Sequence, residues 1–302
     1  MRKIDLYQVE PEASFGDGKN MHALKEKLLI DNLLLMDIEG DYQRDKEGYR
    51  EEYFQAKINY LINKYMYFWY YIKYYFDYGI YSLLNSRPYD SQQEMREKGW
   101  MMPAESSRYH IRASGEVSLE ETYIKYFNKY FNVLFSFPVG DFGSRIDRCY
   151  QQAISCYKSG YYYSCAVSLF PIIESYHQEM AGFEENEYYK IKNHLDCIVD
   201  KISQVKQTYA TQINYYIDMV KQFNDLVKNH YFNTSVDRDV EPEIINRHRI
   251  MHGIFTRDVS QKDCLQLFCV ISNMRLIHSL IDANAIMEKT ALQIEKLKRG
   301  EE

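Results

Sequence analysis

The spacing of apolar residues predicts helices along most of this chain, because apolar positions recur with the period of an α-helix. In the first 140 residues, the pattern predicts helices at 21–39, 51–84 and 118–135, separated by a charged stretch at 40–52 and an irregular stretch at 85–118. The helix at 51–84 is apolar or aromatic nearly all round, which is typical of a helix buried in a bundle or an interface. Ser118, followed three positions later by Glu121, fits a capping box at the start of the third helix.

The segment SFPVGDFGS at 136–144 predicts a domain boundary, because it concentrates proline and glycine in a short span. Strong helical periodicity follows it. We therefore expect a mainly helical domain of unassigned role at 1–140 and a second helical domain at 141–302.

The second domain is predicted to contain helices at 144–158, 161–181, 187–231, 242–252 and 260–297. Pro242 suits the first turn of the short helix, and Gly253 suits the position just past its end. Ser260 is the expected N-cap of the last helix, with Asp263 in its first turn.

Composition supports an all-α fold. Only 13 glycines and 6 prolines occur in 302 residues, whereas sandwiches and barrels need many turn residues. Tyrosine is abundant, with 30 residues. We interpret the aromatic helix around residues 65–78 as core, because such helices are core more often than binding surfaces. The alternative is a groove in which tyrosine rings stack on unpaired bases.

Charge and cysteine usage limit the function classes. A net charge of -6 excludes a general nucleic-acid coat protein, which would be basic. An enzyme that touches RNA at one place can still be acidic. The six cysteines form no Cys-x-x-Cys pair, which indicates reduced thiols in a cytoplasmic protein. The N-terminus has no apolar signal region, and Lys73 and Asp77 interrupt the aromatic segment, so we expect no membrane association.

The segment INRHRIMHG is the feature that points to chemistry. It places a cluster of polar, mostly cationic residues on one short predicted helix: Asn246, Arg247, His248, Arg249 and His252. Arginine binds phosphate oxygens through a planar fork. Histidine is the side chain best suited to proton transfer near neutral pH.

This segment resembles the signature of HEPN-domain ribonucleases, in which an arginine and a polar residue are followed by three further residues and a histidine. Arg247, His248 and His252 match that spacing. The upstream line AISCYKSGYYYSCAVSLFPIIESYHQ also resembles the HEPN helix pair, and the resemblance covers residues 144–298. It implies an up-and-down helical bundle that cleaves RNA without a metal ion or other cofactor.

The resemblance implies a role for each residue of the site. His252 would be the general base or acid, and Arg247 would stabilise the phosphate. Asn246 and His248 would orient the phosphate or share proton transfer. Glu174 is a candidate partner of Arg247 or of a histidine, and the alternative is an ordinary half-buried salt bridge.

The resemblance also implies partners. Residues five apart on a helix point about 140° apart, so Arg247 and His252 would not share one helix face. A cleft shared by two subunits could use both, and we expect a homodimer through the C-terminal domain. The family suggests an antiphage-defence or toxin effector that attacks cellular RNA, with an antitoxin or another regulatory partner possible.

Other interpretations stay open at this point. The cluster could be a basic helix end that favours the helix dipole. A zinc site using His248 and His252 is disfavoured, because Arg249 stands where the metalloprotease pattern has glutamate. The chain could also be a non-catalytic HEPN-like module that binds a protein or nucleotide partner, or a purely helical scaffold.

Overall fold

The computed structural model describes residues 17–86, 94–101, 103, 118–136, 144–181, 221, 223–233, 242–254 and 257–299, with the side chains of 17–22, 72–86, 144–145, 177–181, 280–281 and 284 excepted. All regular structure in these residues is helical, and none of it is strand. The predicted all-α class is therefore confirmed for this part of the chain.

The chain divides into two compact units that differ from the predicted domains. One unit comprises Met1–Tyr75 together with Asp282–Glu302, and the other comprises Phe76–Ile281. Residues 118–135 lie in the second unit, which continues past the expected boundary at 136–144. The reason is aromatic packing. The ring of Phe131 stacks on that of Tyr157, with centroids 4.5 Å apart.

The first unit contains helix α1, Asp17–Arg44, and most of helix α2, Arg50–Ser86. Helix α1 is longer than predicted and takes in the start of the charged stretch, residues 45–49 form the turn, and the end of the stretch begins α2. The rings of Tyr42 and Tyr53 stack across this turn with centroids 4.4 Å apart. Helix α1 also carries an exposed apolar face, made of Leu29, Ile30, Leu33, Leu34 and Met36.

The single helix predicted at 118–135 is two helices, α3 at Leu119–Lys129 and α4 at Phe131–Phe135. Ser118 caps α3 as predicted, and its side chain accepts a hydrogen bond from the backbone N–H of Glu121. The chain leaves helical geometry at Tyr130, where ψ is 17°. Beyond this break, α4 buries three side chains, which are those of Phe131, Leu134 and Phe135.

Helices α5, Ser144–Lys158, and α6, Tyr162–Ala181, match the prediction and pack against each other. Gly160 makes the turn between them with a φ of 77°, a conformation that glycine adopts without the steric cost of a Cβ atom. The predicted helix at 187–231 lies mostly outside the described residues. Its described end includes a π-helical turn at Val227–Tyr231.

Two helices follow, α7 at Arg247–Met251 and α8 at Gln261–Lys298. The prediction that the short helix begins at Pro242 is wrong, because Asn246 caps it four residues later. At the start of α8, Ser260 and Asp263 form the expected cap. The backbone N–H of Asp263 donates to Ser260 Oγ, and that of Ser260 donates to Asp263 Oδ2.

The core of the second unit is aromatic and centres on Phe268 of α8. Its ring contacts those of Phe131, Phe135, Tyr150 and Tyr157. Cys264 and Cys269, on the same helix, are fully buried. Within the described part of the chain, no helix has the length and apolar character needed to cross a membrane.

Candidate active site

The cationic cluster lies on α7, which is only five residues long. Asn246 begins the helix in an extended conformation, and its side-chain oxygen accepts a hydrogen bond from the backbone N–H of Arg249 at 3.2 Å. His252 follows the last helical residue, and Gly253 then turns the chain with a φ of 67°. The histidine therefore sits where the chain leaves the helix, and its direction does not follow helical periodicity alone.

The amide of Asn246 also anchors the whole segment. Its Nδ2 donates hydrogen bonds to the backbone oxygens of His230, at 2.7 Å, and Asn233, at 3.0 Å. The side chain is 1% exposed. Both amide hydrogens are thus used to hold the start of α7, and the structure gives Asn246 a positioning role.

Arg247 is held from α6 by Glu174. Arg247 Nε lies 2.7 Å from Glu174 Oε1, and the carboxylate is the more deeply buried partner. Burial raises the pKa of Glu174 above its ordinary value, although the nearby guanidinium acts in the opposite direction. Two opposing effects therefore act on the charged form of Glu174: desolvation disfavours it, and attraction to Arg247 favours it.

The guanidinium keeps donors that Glu174 does not use. The ion pair uses Nε of Arg247, and no hydrogen bond of the two terminal nitrogens is found among the described residues. The Arg247 side chain is 30% exposed. It can therefore present a planar fork to an anion while Glu174 fixes its direction.

His248 and His252 come together on one side of α7. Their ring centroids are 4.4 Å apart, with the ring planes inclined by 54°. His252 is exposed and His248 is partly exposed. Two imidazoles this close can serve a single reacting phosphate, one as proton acceptor and the other as proton donor.

Arg249 does not belong to the accessible cluster. It is 2% exposed, and its backbone oxygen accepts a hydrogen bond from Ile254 N–H. Of the five polar residues in this cluster, Asn246 and Arg249 are buried. The accessible set is Arg247, His248 and His252.

A cleft that the sequence pattern did not predict lies beside α7. This open cleft has a volume of about 470 Å³ and is lined by residues of the α5–α6 turn and of the segment before α8: Gly160, Tyr161, Tyr162, Tyr163, Ser164, Arg257, Asp258 and Val259. Tyr163 connects it to α7, because its hydroxyl donates to the backbone oxygen of Ile250 at 3.3 Å. The signal in the sequence was the run of three tyrosines after Gly160.

Among the other described histidines, His230 takes part through its backbone oxygen, which accepts the hydrogen bond from Asn246. His278 contacts the ring of Tyr176, and the side chain of His177 and all of His194 lie outside what is described. Within the described residues, no three His, Cys, Asp or Glu side chains group closely enough to hold a metal ion. No protein-family model, curated protein or solved structure matches this chain.

Replacing Asn246 tests its positioning role. Asn246→Ala should lower the free energy of unfolding by about 2–4 kcal/mol, because it removes a helix cap and two further hydrogen bonds from a buried site. Asn246→Ser should recover about 1 kcal/mol by restoring the cap alone. Urea denaturation measures these differences. Ser118→Ala, which removes an exposed cap, is the matched control and should cost about 1 kcal/mol. Equal losses for Asn246→Ala and Ser118→Ala would contradict the anchoring role.

The raised pKa of Glu174 predicts a pH dependence of stability. The unfolded chain ionises this carboxyl more easily than the folded protein does, so its ionisation costs stability as the pH rises above its ordinary pKa of 4.5. Between about pH 4 and about pH 7, wild type should therefore lose stability relative to Glu174→Gln.

Denaturant midpoints measured across this range for both proteins give the comparison. Glu121→Gln, a change at an exposed glutamate of the same unit, serves as control. If wild type instead became more stable than Glu174→Gln as the pH rises, the attraction of Arg247 would have a larger effect on the pKa of Glu174 than burial has.

Proposed function

We propose that this protein is a metal-independent endoribonuclease whose site consists of Arg247, His248 and His252. The observation that carries the proposal is the accessible histidine pair, with ring centroids 4.4 Å apart, on a helix whose arginine is oriented by Glu174. Two proton-transfer groups and an oriented cation are what RNA cleavage requires, because RNA carries its own nucleophile.

The reaction follows from these groups. One imidazole, in its neutral form, accepts the proton of the ribose 2'-hydroxyl as O2' forms a bond to phosphorus. The other, protonated, donates a proton to the leaving O5' as the P–O5' bond breaks. Arg247 stabilises the charge that develops on the phosphorane oxygens. The products are a 2',3'-cyclic phosphate and a 5'-hydroxyl.

In this proposal, the expected site residues have different tasks. His252 and His248 are the proton-transfer pair, and His252 is the more exposed of the two. Glu174 orients Arg247, and Asn246 holds the helix that carries all three accessible groups. Glu174 and Asn246 are thus positioning residues in this proposal, whereas Arg247 and the histidines contact the substrate.

The resemblance to HEPN-domain ribonucleases supports the same reaction and adds an expectation of a homodimer. A second copy would bring a second α7 to the site, so that groups from the two α7 helices share one phosphate. Light scattering at micromolar concentration measures this directly. A fully active monomer would contradict the shared site but not the chemistry.

A non-catalytic module that binds a protein or nucleotide is the second candidate. One observation favours it. Glu174 balances the charge of Arg247, as it would in a structural ion pair. Such a module would bind its ligand and leave RNA intact, so the cleavage assay below separates the two functions.

By the same resemblance, we propose a role in antiphage defence or as a toxin, with a regulatory partner that restrains the activity. Plating phage on cells that carry wild type or Arg247→Ala tests this role. Equal plaque counts on a broad phage panel, without toxicity on overexpression, would remove the defence role while leaving the nuclease chemistry open.

Incubating the purified protein with total RNA in the presence of EDTA tests the activity. Fragments should end in 2',3'-cyclic phosphate and 5'-hydroxyl groups. His252→Ala should slow cleavage about 100-fold or more, the usual scale for a lost general acid or base. Arg247→Lys should also lose most activity, because lysine lacks the planar fork.

Met251→Ala is the matched control, since Met251 is an exposed apolar residue on the same helix. It should cleave like wild type. Fragments with 5'-phosphate ends, or equal rates for wild type and His252→Ala, would sink the proposed mechanism.

A further inference from the structure

The cleft between the α5–α6 turn and the segment before α8 has the features of a binding site for a flat ring. Tyr161 and Tyr163 lie on it and are 67% and 52% exposed, although large aromatic side chains are usually buried. The cleft's volume of about 470 Å³ is in the range of small-molecule sites. Exposed aromatic faces beside such a cleft are suited to stacking on another ring.

The aromatic wall of the cleft is fixed by its neighbours. Tyr162, between the two exposed tyrosines, packs against the ring of Tyr157, and its backbone oxygen accepts a hydrogen bond from Cys264 Sγ at 3.2 Å. Tyr163 is tied through its hydroxyl to the backbone of Ile250. Tyr162 and Tyr163 are thus held in place next to the exposed Tyr161, so the wall on which a ring would stack has a fixed backbone.

Asp258 also lines the cleft, and its backbone is held in place by its neighbour. Arg257 binds both carboxylate oxygens of Asp263 at 2.7 Å and also donates to the backbone oxygen of Asp258 at 3.2 Å. Asp263 in turn holds Ser260 through the cap of α8. Asp258 itself is exposed, and among the described residues only its backbone oxygen has a hydrogen-bond partner.

We propose that this cleft binds an unpaired guanine base of the RNA substrate, stacked on Tyr161 and hydrogen-bonded to the carboxylate of Asp258. A carboxylate accepts two parallel hydrogen bonds and donates none. Guanine offers two adjacent donors on one edge, N1–H and the 2-amino group. Adenine and cytosine offer one amino donor next to an acceptor, and uracil offers one N–H between two acceptors, so guanine complements the carboxylate best.

The position of the cleft relates base recognition to cleavage. Ile250, to whose backbone oxygen Tyr163 donates, is two residues from His252. A nucleotide whose base occupies the cleft would therefore lie next to the histidine end of α7. This inference rests on the proposed ribonuclease function and adds to it a preference for cleavage beside guanosine.

Binding of uncleavable oligonucleotides to the native full-length protein tests the inference separately from catalysis. The probes are fluorescent 2'-O-methyl oligouridines of about six nucleotides that carry one central guanosine, inosine, adenosine or uridine. Inosine differs from guanosine only by lacking the 2-amino group. Fluorescence anisotropy at one fixed salt concentration should show guanosine bound about tenfold or more tightly than the other three.

Matched variants assign the preference to residues. Asp258→Asn should bring guanosine and inosine to similar affinity. Tyr161→Leu should weaken every probe about tenfold, whereas Tyr161→Phe, which keeps the ring, should bind as wild type does. Tyr49→Leu, at an exposed tyrosine of the other compact unit, should leave binding unchanged.

Equal affinity for all four probes, or a guanosine preference that persists in Asp258→Asn, would overturn the inference. Guanosine-selective binding by a protein that cuts no RNA would support the cleft and refute the ribonuclease. Cleavage without preference for guanosine would support the ribonuclease and refute guanine recognition by the cleft. The two proposals therefore fail separately.

Discussion

The candidate site depends on the ion pair between Arg247 of α7 and Glu174 of α6, together with the amide of Asn246. A helix of five residues is not stable by itself in water, because the cost of its first turn is not recovered over so short a length. Helix α7 therefore exists because tertiary contacts hold it. The same contacts hold the segment that carries Arg247 and the two histidines, so the stability of this segment and its proposed function are linked.

The ion pair also determines the electrostatics of the site. Glu174 is buried against its solvation preference, and its pKa is raised because the guanidinium compensates only part of the desolvation. The carboxylate holds the guanidinium at Nε, while the Arg247 side chain remains 30% exposed. An arginine that is already oriented loses less side-chain entropy when an anion binds, which suits transition-state stabilisation.

The abundant tyrosines serve two different purposes in the second unit. Most described aromatic residues here belong to the core around Phe268, in contacts such as the stack of Phe131 on Tyr157. Tyr161 and Tyr163 do not belong to this core. They follow the turn made by Gly160 and are exposed beside α7. A rigid aromatic core thus supports a surface on which a few exposed rings and charges are held in place.

Much of this arrangement follows from local sequence patterns. The all-helical class, the bounds of α5 and α6, and the caps at Ser118 and Ser260 all follow from interactions within a few residues, which is why periodicity and capping rules predict them. The cluster from Asn246 to His252 is also visible in the sequence. Glu174 could be named as a candidate, because a carboxylate in an apolar run needs a partner.

Tertiary structure decided what depends on residues far apart in the chain. In the folded protein, the partner of Glu174 is Arg247 rather than a histidine. Arg249 is buried, and α7 begins at Arg247 instead of Pro242. Tertiary structure also brought Asp258 to the tyrosines after Gly160. Helical periodicity says which face of a helix is apolar, but only the packing of separate helices determines which polar groups meet, because that depends on their relative placement in space.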